Sequence, residues 1–274
     1  MKPGESRSDS TPRLRARSMA LRIFSASHPI FCAVLDESAF GRNPAQAAER
    51  LFEAGIDWIQ LRDRNLGSEA LYSLAKTLVD AARMVGESAR RRDRDQADRG
   101  QPRVVINRRI DIALAAGADG VHLGFDALNA ADARALLGPD ALIGASFHSP
   151  AEVENAAREA EDPLLSYAHL APIWDPHSKP VTRSALGMHS LQKAVKFGIP
   201  VLAQGGVDSA RAVQAIDCGA LGIAVTGGLR RMADQIHMAR QIRHALDHIP
   251  RDRSPAGKEL RNQNKPGGDS RANP

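Results

Sequence analysis

The side chains of this sequence that could do chemistry lie at the ends of short β-rich runs. Gln60, Arg62 and Arg64 close one such run, and strict alternation puts all three on one face. An arginine turned into a protein interior needs an anionic partner or an anionic ligand, and its planar fork matches phosphate and carboxylate oxygens. Both readings stay open here, a buried ion pair or a grip on a ligand. Asn107 ends another run. It offers donors and an acceptor to a heterocycle or, equally, an N-cap to the helix expected from Ile110. His122 lies inside a run and reads as a satisfied interior histidine. Ser146 and His148 follow the run Leu142–Ala145 and precede a helix start marked by Ser149-Pro150. A histidine so placed titrates near neutral pH and suits proton transfer, the plain alternative being an exposed loop histidine.

Further along, a proline-broken loop, Ala171 to Lys179, sets the hydroxyl of Ser178 beside the ammonium of Lys179, a natural clamp for a phosphate. Two small-residue turns then follow consecutive runs, Gly205-Gly206 after Ala203-Gln204 and Gly227-Gly228 after Val225-Thr226. Each precedes a helical stretch, so backbone N–H groups and the helix dipole can face an anion. One such pair alone is a plain turn. Two at successive run ends point to a phosphate.

The elements that must hold these residues alternate regularly. Strands are expected at Ile30–Leu35, Trp58–Leu61, Val104–Ile106, Gly120–Leu123, Leu142–Ala145, Tyr167–Leu170, Pro200–Ala203 and Gly222–Val225, with Ala-rich amphipathic helices between them. Ala54-Gly55, Ala116-Gly117 and Cys218-Gly219 place a glycine where a helix must turn back toward the next strand. Eight βα alternations in 274 residues predict one (β/α)8 TIM barrel, a single α/β domain over 26–249. In that fold the chemistry sits at the C-terminal strand ends, which is where the residues above fall, and the last two loops commonly hold a phosphate. The polar segment Gly86–Pro102 is expected as a solvated, charged loop insertion on the opposite face.

Composition excludes several other classes. The net charge of +5 resides in the tails: residues 1–18 and 251–274 each carry +3, which leaves about −1 for the rest. Both tails, taken as 1–25 and 250–274, are expected to be disordered, and no nucleic-acid partner is expected. Cys32 and Cys218 are the only cysteines, in no metal-ligand spacing, which suits a reducing cytoplasm. No apolar run is long enough to span a bilayer, and no membrane partner is expected.

With these residues in place, "IQLRDR" (59–64), "VVINRRIDIALAAGADGVHLG" (104–124), "IGASFHS" (143–149), "LAPIWDPHSK" (170–179), "PVLAQGGV" (200–207) and "GALGIAVTGG" (219–228) resemble the thiamine phosphate synthases and the related TenI-type thiazole tautomerases. The motifs run in family order across residues 30–247. The resemblance implies that Gly205, Gly206, Val225 and Thr226 hold the phosphate of a thiazole phosphate. It matches Ser178 and Lys179 to the hydroxyl–lysine pair of the sixth-strand loop, and Gln60, Arg62, Arg64, Asn107, Ser146 and His148 to the pocket around the heterocycles.

The departures from the pattern bear on the branch. A synthase joins hydroxymethylpyrimidine diphosphate to thiazole phosphate and releases pyrophosphate, and the resemblance implies Mg2+ held there by two aspartates. Here those positions are Arg108 and Ala127, in Gly124-Phe125-Asp126-Ala127. An arginine in a ligand's place repels a cation. The sequence therefore favours a tautomerase, an isomerase that aromatises thiazole carboxylate phosphate with His148 as general acid/base and without cofactor or metal. The alternatives are a divergent synthase, a transferase whose arginines take over the charge of the metal, and a non-catalytic regulator that keeps only the phosphate site. A homodimer is compatible with all three.

Overall fold

The structure is a computed structural model that describes residues 28–92, 100–124, 126–159, 164–175, 184–229 and 234–250. The tails expected at 1–25 and 250–274 lie outside the described residues, Pro250 aside. Eight strands form a closed parallel barrel in sequence order. They are β1 (Ile30–Leu35), β2 (Trp58–Leu61), β3 (Arg103–Asn107), β4 (Gly120–Leu123), β5 (Leu142–Phe147), β6 (Tyr167–Leu170), β7 (Val201–Gln204) and β8 (Gly222–Val225). The closing pair is β1 with β8, in the register Ile30↔Gly222 through Ala33↔Val225. Around it lie α1 (Pro44–Glu53), α2 (Ser68–Arg92), α3 (Ile110–Ala116), α4 (Ala130–Leu137), α5 (Pro150–Arg158), α6 (Gly187–Ala194), α7 (Ser209–Asp217) and α8 (Gln235–Asp247). Among the described residues no helix is long and apolar enough to cross a membrane.

Period-two alternation builds two cores from one set of strands. On β1, Ile30, Cys32 and Val34 point inward to meet Trp58, Val105, Leu142, Tyr167, Leu202 and Ala224. Phe31, Ala33 and Leu35 point outward into the larger core beneath the helices. Strands buried on both faces are apolar along their whole length, which is why they read as runs rather than as strict alternations. Tyr167 owes its seat inside the barrel to Gly144, where a Cβ would lie 2.1 Å from its ring. The three expected helix-ending glycines all have positive φ, and Gly117 is the left-handed C-cap of α3.

Two boundaries differ from the sequence expectation in ways that matter. Gly86–Arg92 is not a solvated loop: α2 continues through it, because Glu87, Ser88, Ala89 and the arginines after them contain no helix breaker. Arg90 Nη2 donates to Gln101 Oε1 at 2.8 Å and ties the extension to the segment before β3. Residues 93–99 lie outside the described residues. Strands β3, β5 and β7 also run on by one or two residues, so Asn107, Ser146 and Gln204 stand on rigid strand rather than loop.

Candidate active site

Toward the C-terminal ends of the strands the inward face changes from apolar to polar. One layer above Trp58, Val105, Tyr167 and Leu202 stand Gln60, Asn107, His169 and Gln204, joined by His122 of β4 and Ser146 of β5. These side chains bond to one another across strands. Gln60 Nε2 donates to Asn107 Oδ1 at 3.1 Å, so Asn107 is a barrel residue. It is not an N-cap; Arg109 holds the cap position of α3. Gln204 Nε2 donates to Thr226 Oγ1 at 3.1 Å and clasps the ends of β7 and β8.

His122 is the interior histidine expected from the sequence, 1% exposed. Its Nε2 lies 2.7 Å from Ser146 Oγ and its Nδ1 3.2 Å from the Tyr167 hydroxyl. Burial, with the positive Arg62 nearby, depresses its pKa to about 3. His169 lies against it, with ring centroids 4.3 Å apart and planes tilted by 37°. Burial and then its neighbour His122 hold His169 well below the usual imidazole range. Both rings are therefore neutral at physiological pH. Two atoms of the layer, Gln60 Oε1 and His169 Nε2, are buried without a hydrogen-bond partner among the described residues. His28 Nδ1, Gln235 Oε1 and Arg243 Nε share that state elsewhere, but these two belong to the layer that faces the mouth, where a ligand or water can reach them.

The basic residues of the second-strand motif separate. β2 stops at Leu61, and the chain turns around the Asp63 carboxylate, which accepts from the backbone N–H groups of Asn65 at 2.8 Å and of Glu37 and Leu66 at 3.1 Å. Arg62 is half-buried near His122, whereas Arg64 is exposed. The expectation that Gln60, Arg62 and Arg64 share one face holds only as far as the strand does.

His148 is positioned by a capping box. Ser149 Oγ accepts from Glu152 N at 3.2 Å, while Glu152 Oε2 accepts from His148 N at 2.8 Å. The ring Nδ1 lies 2.8 Å from the carbonyl oxygen of Ala171. A carbonyl only accepts, so in the neutral ring Nδ1 carries the hydrogen and Nε2 the lone pair. This is the tautomer a general base needs. Ala171 belongs to the loop after β6, which packs on the first glycine pair. Gly205 and Gly206 have φ of +95° and +63°. A Cβ on Gly205 would meet Pro172 at 2.7 Å, and one on Gly206 the carbonyl oxygen of Asp175 at 2.6 Å. Only glycine fits there. Arg211 Nη1 donates to Gly206 O at 2.7 Å, with its guanidinium 5.8 Å above the Trp174 ring. His148, the loop after β6 and the Gly205-Gly206 turn thus form one continuous rim, and Gln204–Thr226 joins it to Val225 and the turn after β8. Ser178 and Lys179 lie outside the described residues.

The divalent cation that the resemblance implies for a synthase does not fit this rim. Arg108, held at φ +67°, puts Nη2 2.7 Å from Asp126 Oδ2. Ala127 brings no side-chain oxygen, and no group of three or more His, Cys, Asp or Glu among the described residues could hold a metal ion. A hard cation needs several oxygens. Here a guanidinium stands on Asp126, the carboxylate next to Ala127.

Tyr167, His169 and Gln204 were not singled out from the sequence. The signal was there, since Tyr167 and His169 are two apart on an expected strand. Nothing local, however, showed which parity faced inward.

A closed parallel barrel whose polar side chains gather at the C-terminal mouth is a TIM-barrel protein with its site where that fold carries chemistry. A family profile described as thiamine monophosphate synthase matches residues 31–229. The chain is 34% identical over 218 residues to a thiamine-phosphate synthase of Chlorobium limicola, covering 79% of this chain and 93% of that one. It is 35% identical over 206 residues to a thiamine-phosphate synthase of a Mycobacterium species, covering 74% and 85%. A solved thiamine phosphate pyrophosphorylase from Pyrococcus furiosus shares the fold, with TM-score 0.64, 23% identity, and coverage of 82% of this chain and 98% of that one. The chain belongs to the thiamine monophosphate synthase family of thiamine biosynthesis.

Proposed function

We propose that the protein is a divergent thiamine-phosphate synthase that joins hydroxymethylpyrimidine diphosphate to thiazole phosphate and releases pyrophosphate. The observation that carries this reading is a mouth equipped on two sides. The rim formed by Gly205, Gly206, Val225 and Thr226 suits the phosphate of one substrate. Across the barrel, Gln60, Asn107 and Ser146 suit a second heterocycle, with Arg62 beside them for its diphosphate. A proton transfer within one substrate needs only one of these sides. The relatives named above point the same way, which reverses the order of preference drawn from the sequence. In this reading arginines, Arg108 among them, stabilise the departing pyrophosphate, and fixed guanidinium groups lower the barrier by facing charge as it develops. Asp126 orients Arg108.

The tautomerase reading stands second, favoured by the free Nε2 of His148 and by the absence of a cation seat at Arg108. One assay separates the two. The protein is given hydroxymethylpyrimidine diphosphate and thiazole phosphate, with and without a chelator, and thiamine phosphate and pyrophosphate are measured. We expect both products in equal amounts, with less than a two-fold loss on chelation. No condensation, together with accelerated aromatisation of thiazole carboxylate phosphate that His148→Ala abolishes, would establish the tautomerase instead. Binding of thiazole phosphate with neither activity would leave a regulator.

A further inference from the structure

We infer that Tyr167, from inside the barrel, fixes the direction of the hydrogen bond at Ser146, so that Ser146 always presents its own hydrogen to the mouth. The chain of contacts is short. Among the described residues the Tyr167 hydroxyl has one hydrogen-bond partner, His122 Nδ1 at 3.2 Å, and His122 Nε2 lies 2.7 Å from Ser146 Oγ. Tyr167 and His122 are 0% and 1% exposed, whereas Ser146 is exposed at the mouth. A neutral imidazole donates through one nitrogen and accepts through the other, so there are two ways to order the protons. In the first, Tyr167 donates to Nδ1, Nε2–H donates to Ser146, and the serine hydrogen points into the mouth. In the second, Ser146 donates to Nε2 and Nδ1–H donates to Tyr167, which strands the tyrosine hydrogen in an apolar interior between Trp58 and the His169 ring.

The two arrangements are not close in energy. A buried hydroxyl hydrogen left without an acceptor costs roughly 1–3 kcal/mol, while the exposed serine hydrogen of the first arrangement loses nothing to water. The first arrangement is therefore favoured about ten-fold or more. Its consequence is selectivity at the mouth. Ser146 Oγ already accepts from His122 and turns its hydrogen outward, so the mouth donates at this point and favours an acceptor, such as a heterocycle ring nitrogen, over a donor. Tyr167 and His122 are positioning residues; Ser146 is the group that touches the ligand. The statement about the ligand rests on the reading of this mouth as a heterocycle site, and the statement about the protons does not.

The two parts are tested separately. With histidine labelled in both ring nitrogens, NMR of the full chain should show His122 as the Nε2–H tautomer, its signals assigned by their loss in His122→Asn. In Tyr167→Phe, which removes only the hydroxyl, either proton order leaves Nδ1 unpartnered, so the preference should relax and the Nδ1–H tautomer should become populated. A wild-type Nδ1–H tautomer, or no shift in Tyr167→Phe, would overturn the inference. Binding is then read with hydroxymethylpyrimidine diphosphate. Ser146→Ala should weaken it about ten-fold, the effect of one hydrogen bond, Tyr167→Phe, which leaves both proton orders populated, about two-fold, and the double variant should be no worse than Ser146→Ala. Losses that multiply would reject the coupling. If Ser146→Ala binds as tightly as wild type while the tautomer result holds, the proton order stands and the heterocycle reading of this side of the mouth fails.

Discussion

The two ends of the barrel handle polar groups in opposite ways. At the N-terminal end, charges are directed at the protein itself. Asp57 accepts from Phe31 N at 2.7 Å and Arg243 Nη1 at 3.0 Å, and lies 3.1 Å from His28 Nε2. Arg243, only 4% exposed, also donates to Pro29 O at 3.2 Å and approaches Asp247 at 3.0 Å. Arg134 closes the other side, bridging Ala141 O at 2.7 Å and Leu164 O at 3.1 Å. These contacts tie strand beginnings to distant helices. At the C-terminal end the inward side chains are neutral and bond one another; among the described residues Gln60 Oε1 and His169 Nε2 are left without a hydrogen bond there, as His28 Nδ1 and Arg243 Nε are at the other end. The difference is one of charge: ion pairs knit one end together, and neutral polar side chains line the other.

The largest effect that would sharpen the contrast is expected at the N-terminal end. Arg243→Ala leaves Asp57 buried without its main cation, and removing one partner of a buried pair costs about 3–5 kcal/mol. Denaturant unfolding should show that loss, and a change below about 1 kcal/mol would break the comparison. Acid should act next, and through the mouth. His122 and His169 are held neutral in the fold, whereas an unfolded histidine binds a proton near pH 6.5. A depressed folded value means that the unfolded state takes up more protons, so stability is full above about pH 6.5 and falls as pH drops below it. The slope should approach about 1.4 kcal/mol per pH unit for each histidine. Unfolding midpoints measured between pH 7 and 5 should show it, and His169→Gln should remove part of it. The smallest effect is expected at Arg108, paired with Asp126 where both side chains are well exposed. Arg108→Ala should change stability by less than about 1 kcal/mol while weakening pyrophosphate binding measured by calorimetry. A stability loss as large as that of Arg243→Ala would erase the distinction between the two ends.

Much of this was readable before any coordinates. All eight strands lie where alternation and turn residues put them, and the capping residue Ser149 correctly announces the helix that positions His148. The second-strand motif shows where such reading stops. Parity carries Gln60 inward but says nothing of the Asp63 turn that takes Arg64 away. The segment after Gly86 misled for a related reason, since charged residues with good helix propensity look like a loop when composition alone is weighed.

What the sequence determined by itself is therefore most of what has a short period: strand and helix order, closure into eight units, the cap at Ser149, and the glycines that end helices. The tertiary structure alone decided which polar ends meet. Gln60 finds Asn107, His122 finds both Ser146 and Tyr167, and Asp57 finds Arg243 across 186 positions. The physical reason lies in the barrel. Alternation is set residue by residue along one strand, whereas the neighbours across strands follow from tilt and stagger, which exist only once the sheet has closed on itself.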